Sequence, residues 1–362
     1  VYLRNKKTDI VVIDPIILLF LSSGLFLGWA LGANDAANVF GTAVGTKMVS
    51  WRNAAIICSI FVVLGAVISG AGTSQTLGKL GAITALPGAF MTALSAGFSV
   101  FVMTKSGLPV STSQAIVGAI IGWNVFSNQA TDTSTLTKIL STWIICPLLA
   151  AVIAIVLLKL SKYFGRRLKI SLIRSDAYKR IALIFAGALG AYSLGANNIA
   201  NVIGVFIPVQ PLAELTIGSV NFSSTQQLFL LGGLAIALGV CTYSKKVMMT
   251  VGSDLGQLSS TSALIAVISH SIVLFLFASQ GLEALLLKYG LPTIPLVPVS
   301  SSQAVVGAIF GISILQGITA VKWHVLGKII AGWIVTPVVA ALVCFIGCLL
   351  YTSDAADEKR WG

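Results

Sequence analysis

The chain has 362 residues, of which 56% are hydrophobic and 9% are Asp, Glu, Lys or Arg. Soluble domains carry about a quarter charged residues, so this composition, with a mean hydropathy of +0.96, excludes a water-soluble globular fold and points to the bilayer. The net charge of +12 comes with no basic groove interleaved with aromatics, which speaks against a nucleic-acid partner and for basic cytoplasmic loops.

A window of about 20 residues, the length that spans a hydrocarbon core, divides the chain. The first apolar run, Ile10–Leu31, leads into Gly32-Ala33-Asn34-Asp35-Ala36-Ala37-Asn38-Val39. Ala36–Met48 then reads as the second half of a helix broken at this segment, since glycine tolerates non-helical dihedrals. Asn34, Asp35 and Asn38 offer oxygen ligands alone, which suits a hard cation and not zinc or copper. A carboxylate amid apolar sequence is costly unless paired or hydrated. Interhelical hydrogen bonding across a packed interface is the competing reading of such residues.

Apolar runs at Ala54–Gly70 and Gly88–Met103 precede Pro109-Val110-Ser111-Thr112-Ser113-Gln114-Ala115, followed by Ala115–Val125. Proline favours a first helical turn. The amides and dipole of a helix start form an anion site, to which Ser111, Thr112, Ser113 and Gln114 add neutral donors. Ordinary capping of a buried helix is the alternative. Ile139–Leu160 is the next run. Residues 161–180 then hold Lys162, Arg166, Arg167, Lys169, Arg174, Lys179 and Arg180 against Asp176, and are expected as a basic cytoplasmic linker. Arg4, Lys6 and Lys7 would draw the N-terminus to the same side.

Past the linker both motifs return. Ile181–Leu194 leads into Gly195-Ala196-Asn197-Asn198-Ile199-Ala200-Asn201-Val202, and Ile199–Ile207, Gln227–Cys241 and Ala263–Ala278 follow. Pro298-Val299-Ser300-Ser301-Ser302-Gln303-Ala304 precedes Ala304–Leu315 and Val325–Leu349. The first pair of motifs is offset by 163 positions and the second by 189. Matched polar interruptions in two halves mark the substrate site of a transporter. The repetition therefore favours function over structural glue: cation ligands at Asn34, Asp35, Asn38, Asn197, Asn198 and Asn201, and an anion at Ser111–Gln114 and Ser300–Gln303.

The expected architecture is an all-α integral membrane fold. It comprises a first repeat (1–160), the linker (161–180), a second repeat (181–347), broken helices, re-entrant hairpins and roughly ten to twelve membrane segments. An odd number of crossings in the first half would make the repeats inverted. Residues 348–362 read as a non-native tail, resembling a translated sequencing adapter. Cys58, Cys146, Cys241, Cys344 and Cys348 form no CxxC pair and read as small buried hydrophobes. Lys47, Lys79, Lys105, Lys245 and Lys246 border apolar runs, as snorkelling or loop residues. His270 is isolated in an expected helix and His324 stands at a helix start; neither is assigned a role. Trp29, Trp51, Trp123, Trp143, Trp323 and Trp333 fit interfacial anchoring or packing.

GANDAANVFGTAVG, GANNIANVIG, PVSTSQAIVGAIIG and PVSSSQAVVGAIFG resemble the duplicated motifs of the inorganic phosphate transporter family, the sodium- or proton-coupled phosphate symporters. Lys245 to Leu255 resembles that family's second-half pattern as well. The resemblance runs from about residue 20 to 345. It implies an inverted-repeat fold with re-entrant hairpins meeting near mid-membrane, phosphate held between the serine motifs, cations at the Asn/Asp motifs, and often a dimer. Two departures stand out: Asn198 stands where many relatives repeat the Asp, and Gln114 and Gln303 stand where many carry His. Both departures weaken a titratable path and favour sodium over the proton.

The expectation is thus a multi-pass cell-membrane carrier that imports inorganic phosphate by sodium symport, with no cofactor besides the coupling ion. A proton-coupled phosphate or sulfate permease is the alternative, and an anion channel the alternative of another class. An enzyme is not expected: paired aspartates, HExxH and a GxSxG elbow are all missing from the sequence.

Overall fold

The computed structural model describes residues 14–81, 83–105, 110–167, 171–217, 220–254, 258–317 and 323–358. Twelve α-helices lie among these residues. The first half holds α1 (Pro15–Gly45), α2 (Trp51–Ser69), α3 (Ala71–Leu80), α4 (Leu86–Lys105), α5 (Thr112–Phe126) and α6 (Thr133–Arg167). The second half holds α7 (Leu172–Ile203), α8 (Ser224–Asp254), α9 (Ser260–Ala278), α10 (Gln280–Lys288), α11 (Ser301–Gln316) and α12 (Trp323–Glu358). One antiparallel pair, β1 (Leu215–Ile217) with β2 (Val220–Phe222), sets Leu215 opposite Phe222 and is the small exception to an all-helical fold.

Local chemistry sets the helix starts. Asp14 caps α1, accepting from the Ile16 N–H at 2.9 Å, with Pro15 in the first turn. Asp132 accepts from the Thr135 hydroxyl at 2.6 Å and the Ser134 N–H at 3.0 Å, which starts α6. The Thr135 hydrogen bond, first among the causes, holds this exposed carboxyl below the usual range.

Among the described residues, eight helices are long and apolar enough to cross a membrane: α1, α2, α4, α6, α7, α8, α9 and α12, while α5 and α11 are shorter apolar helices. α6 and α12 turn apolar faces outward, among them Ile144, Leu148 and Val152 on one and Ile334, Val338 and Leu342 on the other. In lipid such faces have no drive to pair, so association falls to close packing of small residues.

That packing is duplicated across the two halves. α1 packs on α8 and α7 on α2, while α5 packs on α12 and α11 on α6. A Cβ on Gly32 would stand 2.0 Å from the Ile236 carbonyl oxygen, and one on Gly195 2.0 Å from that of Val62. In the short helices, Gly118 and Gly307 abut the carbonyls of Pro337 and Pro147, where a Cβ would come within 2.1 and 2.2 Å. These prolines sit inside α12 and α6. At these four contacts a helix of one half has its backbone against a helix of the other.

One sequence expectation is corrected. α1 and α7 run unbroken through the Asn motifs, so Ala36–Met48 is not a separate helical half. Gly32 and Gly195 serve close approach, and the polar side chains satisfy one another without releasing backbone. Chain breaks come instead at Gly70, between α2 and α3, and at Ser279, between α9 and α10. The basic segment 161–180 is helical on both sides of its centre: α6 carries on to Arg167 and α7 starts at Leu172, with Lys169 outside the described residues. Cys348 is buried on α12, which runs on into the segment read as a non-native tail.

Candidate functional site

The interior polar cluster forms where α1, α7 and the starts of α5 and α11 meet. Asn34, Asp35 and Asn38 project from α1, and Asn197, Asn198 and Asn201 from α7, all of them buried. Asp35 is the only carboxylate buried among the described residues, and no Lys or Arg is buried among them. Its Oδ1 accepts from Asn34 Nδ2 at 2.8 Å and Asn38 Nδ2 at 3.3 Å, and its Oδ2 from Asn198 Nδ2 at 2.9 Å. The neutral residue of the second motif is therefore a donor to the acid of the first. An aspartate at 198 would face Asp35 at that distance, a pairing that needs a proton or a cation between the two.

The serine motifs open their helices in the same way. Ser111 Oγ accepts from the Gln114 N–H and Ser300 Oγ from the Gln303 N–H, each at 3.3 Å. The capping alternative thus holds for these two residues. The second pair of hydroxyls ties the motifs to each other: Ser113 Oγ donates to the Val299 carbonyl at 3.1 Å, and Ser302 Oγ to the Val110 carbonyl at 2.7 Å. Their protons are committed. Thr112 Oγ1, which corresponds to Ser301, has no partner among the described residues, and neither do Gln114 Oε1, Gln303 Oε1 or Asn201 Oδ1. Pro109 lies outside the described residues; Pro298 is buried just before the second cap.

The two kinds of motif touch. Asn38 Nδ2 also reaches Ser301 Oγ at 3.2 Å, and Asn201 Nδ2 donates to Ser113 Oγ at 2.9 Å. Asn197 holds the Val299 backbone from both sides: its Nδ2 donates to the carbonyl at 2.8 Å, and its Oδ1 accepts from the N–H at 3.1 Å. The same Nδ2 donates to Asn198 Oδ1 at 2.6 Å. One continuous network runs from Asp35 into the second serine motif.

His270 belongs to this network although its isolation in the sequence gave it no role. It is fully buried on α9, with Nε2 2.9 Å from Ser301 Oγ. The available signal was its rarity: an ionisable residue within a membrane helix is a functional candidate by default. His324 is not among the buried polar residues and makes no such contact. Chemically, the cluster offers a carboxylate and amide oxygens to a hard cation. Beside them stand hydroxyls and the first-turn amides of two helices, which suit an oxyanion.

Comparison with known proteins identifies the lineage. The model of the phosphate transporter family matches residues 31–344. A Methanocaldococcus jannaschii protein named as a proposed phosphate permease is 30% identical over 339 residues, covering 93% of this chain and 98% of its own. A Thermococcus kodakarensis protein with the same kind of name is 26% identical over 408 residues, covering 92% and 97%. The solved structure of a sodium-dependent phosphate transporter superposes with a TM-score of 0.74 at 24% identity, covering 93% of this chain and all of that one. With two motif pairs, eight candidate spans and a family match across most of its length, the chain belongs to the phosphate transporter family and is a multi-pass membrane protein.

Proposed function

We propose that the protein is a secondary active transporter that imports inorganic phosphate together with a cation, sodium in preference to the proton. The observation that carries this reading is the Asn38 amide, which donates to both Asp35 Oδ1 and Ser301 Oγ and so joins the cation motif to the anion motif. Charge supplies the reason for coupling. An oxyanion entering here meets neutral donors and one buried carboxylate, with no buried Lys or Arg among the described residues to offset it. A cation at Asp35 removes the repulsion and attracts the anion. Each ligand then favours binding of the other, and the linkage is reciprocal.

In this reading Asn34, Asp35, Asn38, Asn197, Asn198 and Asn201 receive the cation. Thr112 and Ser301, with the first-turn amides of α5 and α11, receive phosphate, while Ser113 and Ser302 hold the two helix starts together. The repeats span 1–160 and 181–347 and are inverted, with α4–α5 and α9–α11 as the hairpins that carry the serine motifs inward. The neutral amide of Asn198 favours sodium, as does the sodium dependence named for the solved structural relative.

The test is labelled-phosphate uptake into proteoliposomes, with sodium and pH gradients imposed separately and sulfate as competitor. An inward sodium gradient should drive accumulation, and sulfate should compete poorly. Accumulation driven by the pH gradient alone would establish proton coupling instead. Flux far above carrier turnover without either gradient would establish a pore.

A further inference from the structure

Ser301 Oγ stands between two nitrogens. Asn38 Nδ2 donates to it at 3.2 Å, and His270 Nε2 lies 2.9 Å away. A hydroxyl oxygen has two lone pairs and one proton, and the Asn38 amide occupies the first lone pair. The imidazole either takes the hydroxyl proton or fills the second lone pair. The other ring nitrogen decides between these: Nδ1 is buried and has no partner among the described residues. A buried N–H without an acceptor is worse than an unused lone pair, so the ring proton belongs on Nε2. With the Nε2–H donating to Ser301, both lone pairs of Oγ are filled. Its proton is left for a third partner.

We propose that His270 is a positioning residue that commits the Ser301 hydroxyl as a donor to the transported anion. The inference rests on the reading of the serine motifs as the phosphate site. It also makes the two halves of that site unequal. Thr112 corresponds to Ser301, yet the protein's two histidines are His270 and His324, and α4, which packs on α5 as α9 does on α11, contains none. The Thr112 hydroxyl is free to turn, whereas Ser301 is set before the anion arrives. A donor so oriented loses less rotational freedom on binding.

The test compares phosphate uptake under an inward sodium gradient for wild type, His270→Met, His270→Gln, Ser301→Ala and the double variant His270→Met/Ser301→Ala, at matched amounts of folded protein. Methionine keeps volume without a donor; glutamine restores an N–H. His270→Met should raise KM for phosphate roughly tenfold, with the maximal rate held within about twofold. His270→Gln should recover most of the affinity, and His270→Met should add nothing in the Ser301→Ala background. An unchanged KM in His270→Met, an equal loss in both His270 variants, or additive effects in the double variant would overturn the assignment. No phosphate uptake by wild type would overturn the phosphate reading beneath it.

Discussion

Hydroxyls of one motif differ in what they have left to give. Ser113 and Ser302 spend their protons on the Val299 and Val110 carbonyls, and Ser111 and Ser300 cap their helices. Thr112 Oγ1 has no partner among the described residues, and in the proposed reading Thr112 and Ser301 give their protons to phosphate. Losing one donor to a buried anion costs about 1–3 kcal/mol, roughly ten- to a hundredfold in affinity. Thr112→Ala and Ser301→Ala should each raise KM for phosphate by that order in uptake assays. Unchanged affinity and rate in both would remove these hydroxyls from the anion site. The candidate residues were legible because the chain states them twice, and repetition separates function from chance polar packing. His270 was not legible, since it has no counterpart in the first half and meets Ser301 only through the fold.

At the scale of elements, the glycines carry the packing. Gly195 lies against the Val62 carbonyl, and Gly32 against that of Ile236. A side chain there meets backbone, which cannot rotate aside, so overpacking should cost about 1–3 kcal/mol or more. Gly195→Val should lower the melting temperature of the detergent-solubilised protein by several degrees. A variant as stable as wild type would mean that the close approach of α7 to α2 is dispensable. The longer helices were legible from apolar runs, whereas α3 and α10, which are short and carry polar residues, were not. The expectation of a break at the Asn motifs was wrong for a physical reason: polar sequence with glycine is equally suited to an unbroken helix whose side chains bond across an interface. Sequence records the polarity and not the partner that satisfies it.

At the scale of the molecule, the halves are not separable blocks. α1 of the first lies on α8 of the second, α7 on α2, α5 on α12 and α11 on α6. Asp35 of one half is bonded to Asn198 of the other, so whatever enters beside Asp35 acts on both halves at once. This exchange of partners was hidden in the sequence, which shows order along the chain but not which copy each helix packs against. The proposed coupling would have a structural route here, because the carboxylate, the amides and the serine motifs form one network across the interface between halves.

In the proposed coupling, a cation at Asp35 offsets the charge that would otherwise repel phosphate. Asp35→Asn keeps the shape and one oxygen while removing the charge. The most direct measurement is phosphate uptake against sodium concentration at fixed pH, for wild type and Asp35→Asn at matched amounts of folded protein. The variant should lose most of its sodium dependence while remaining folded. Identical sodium curves would contradict this coupling and leave Asp35 as a structural contact between α1 and α7.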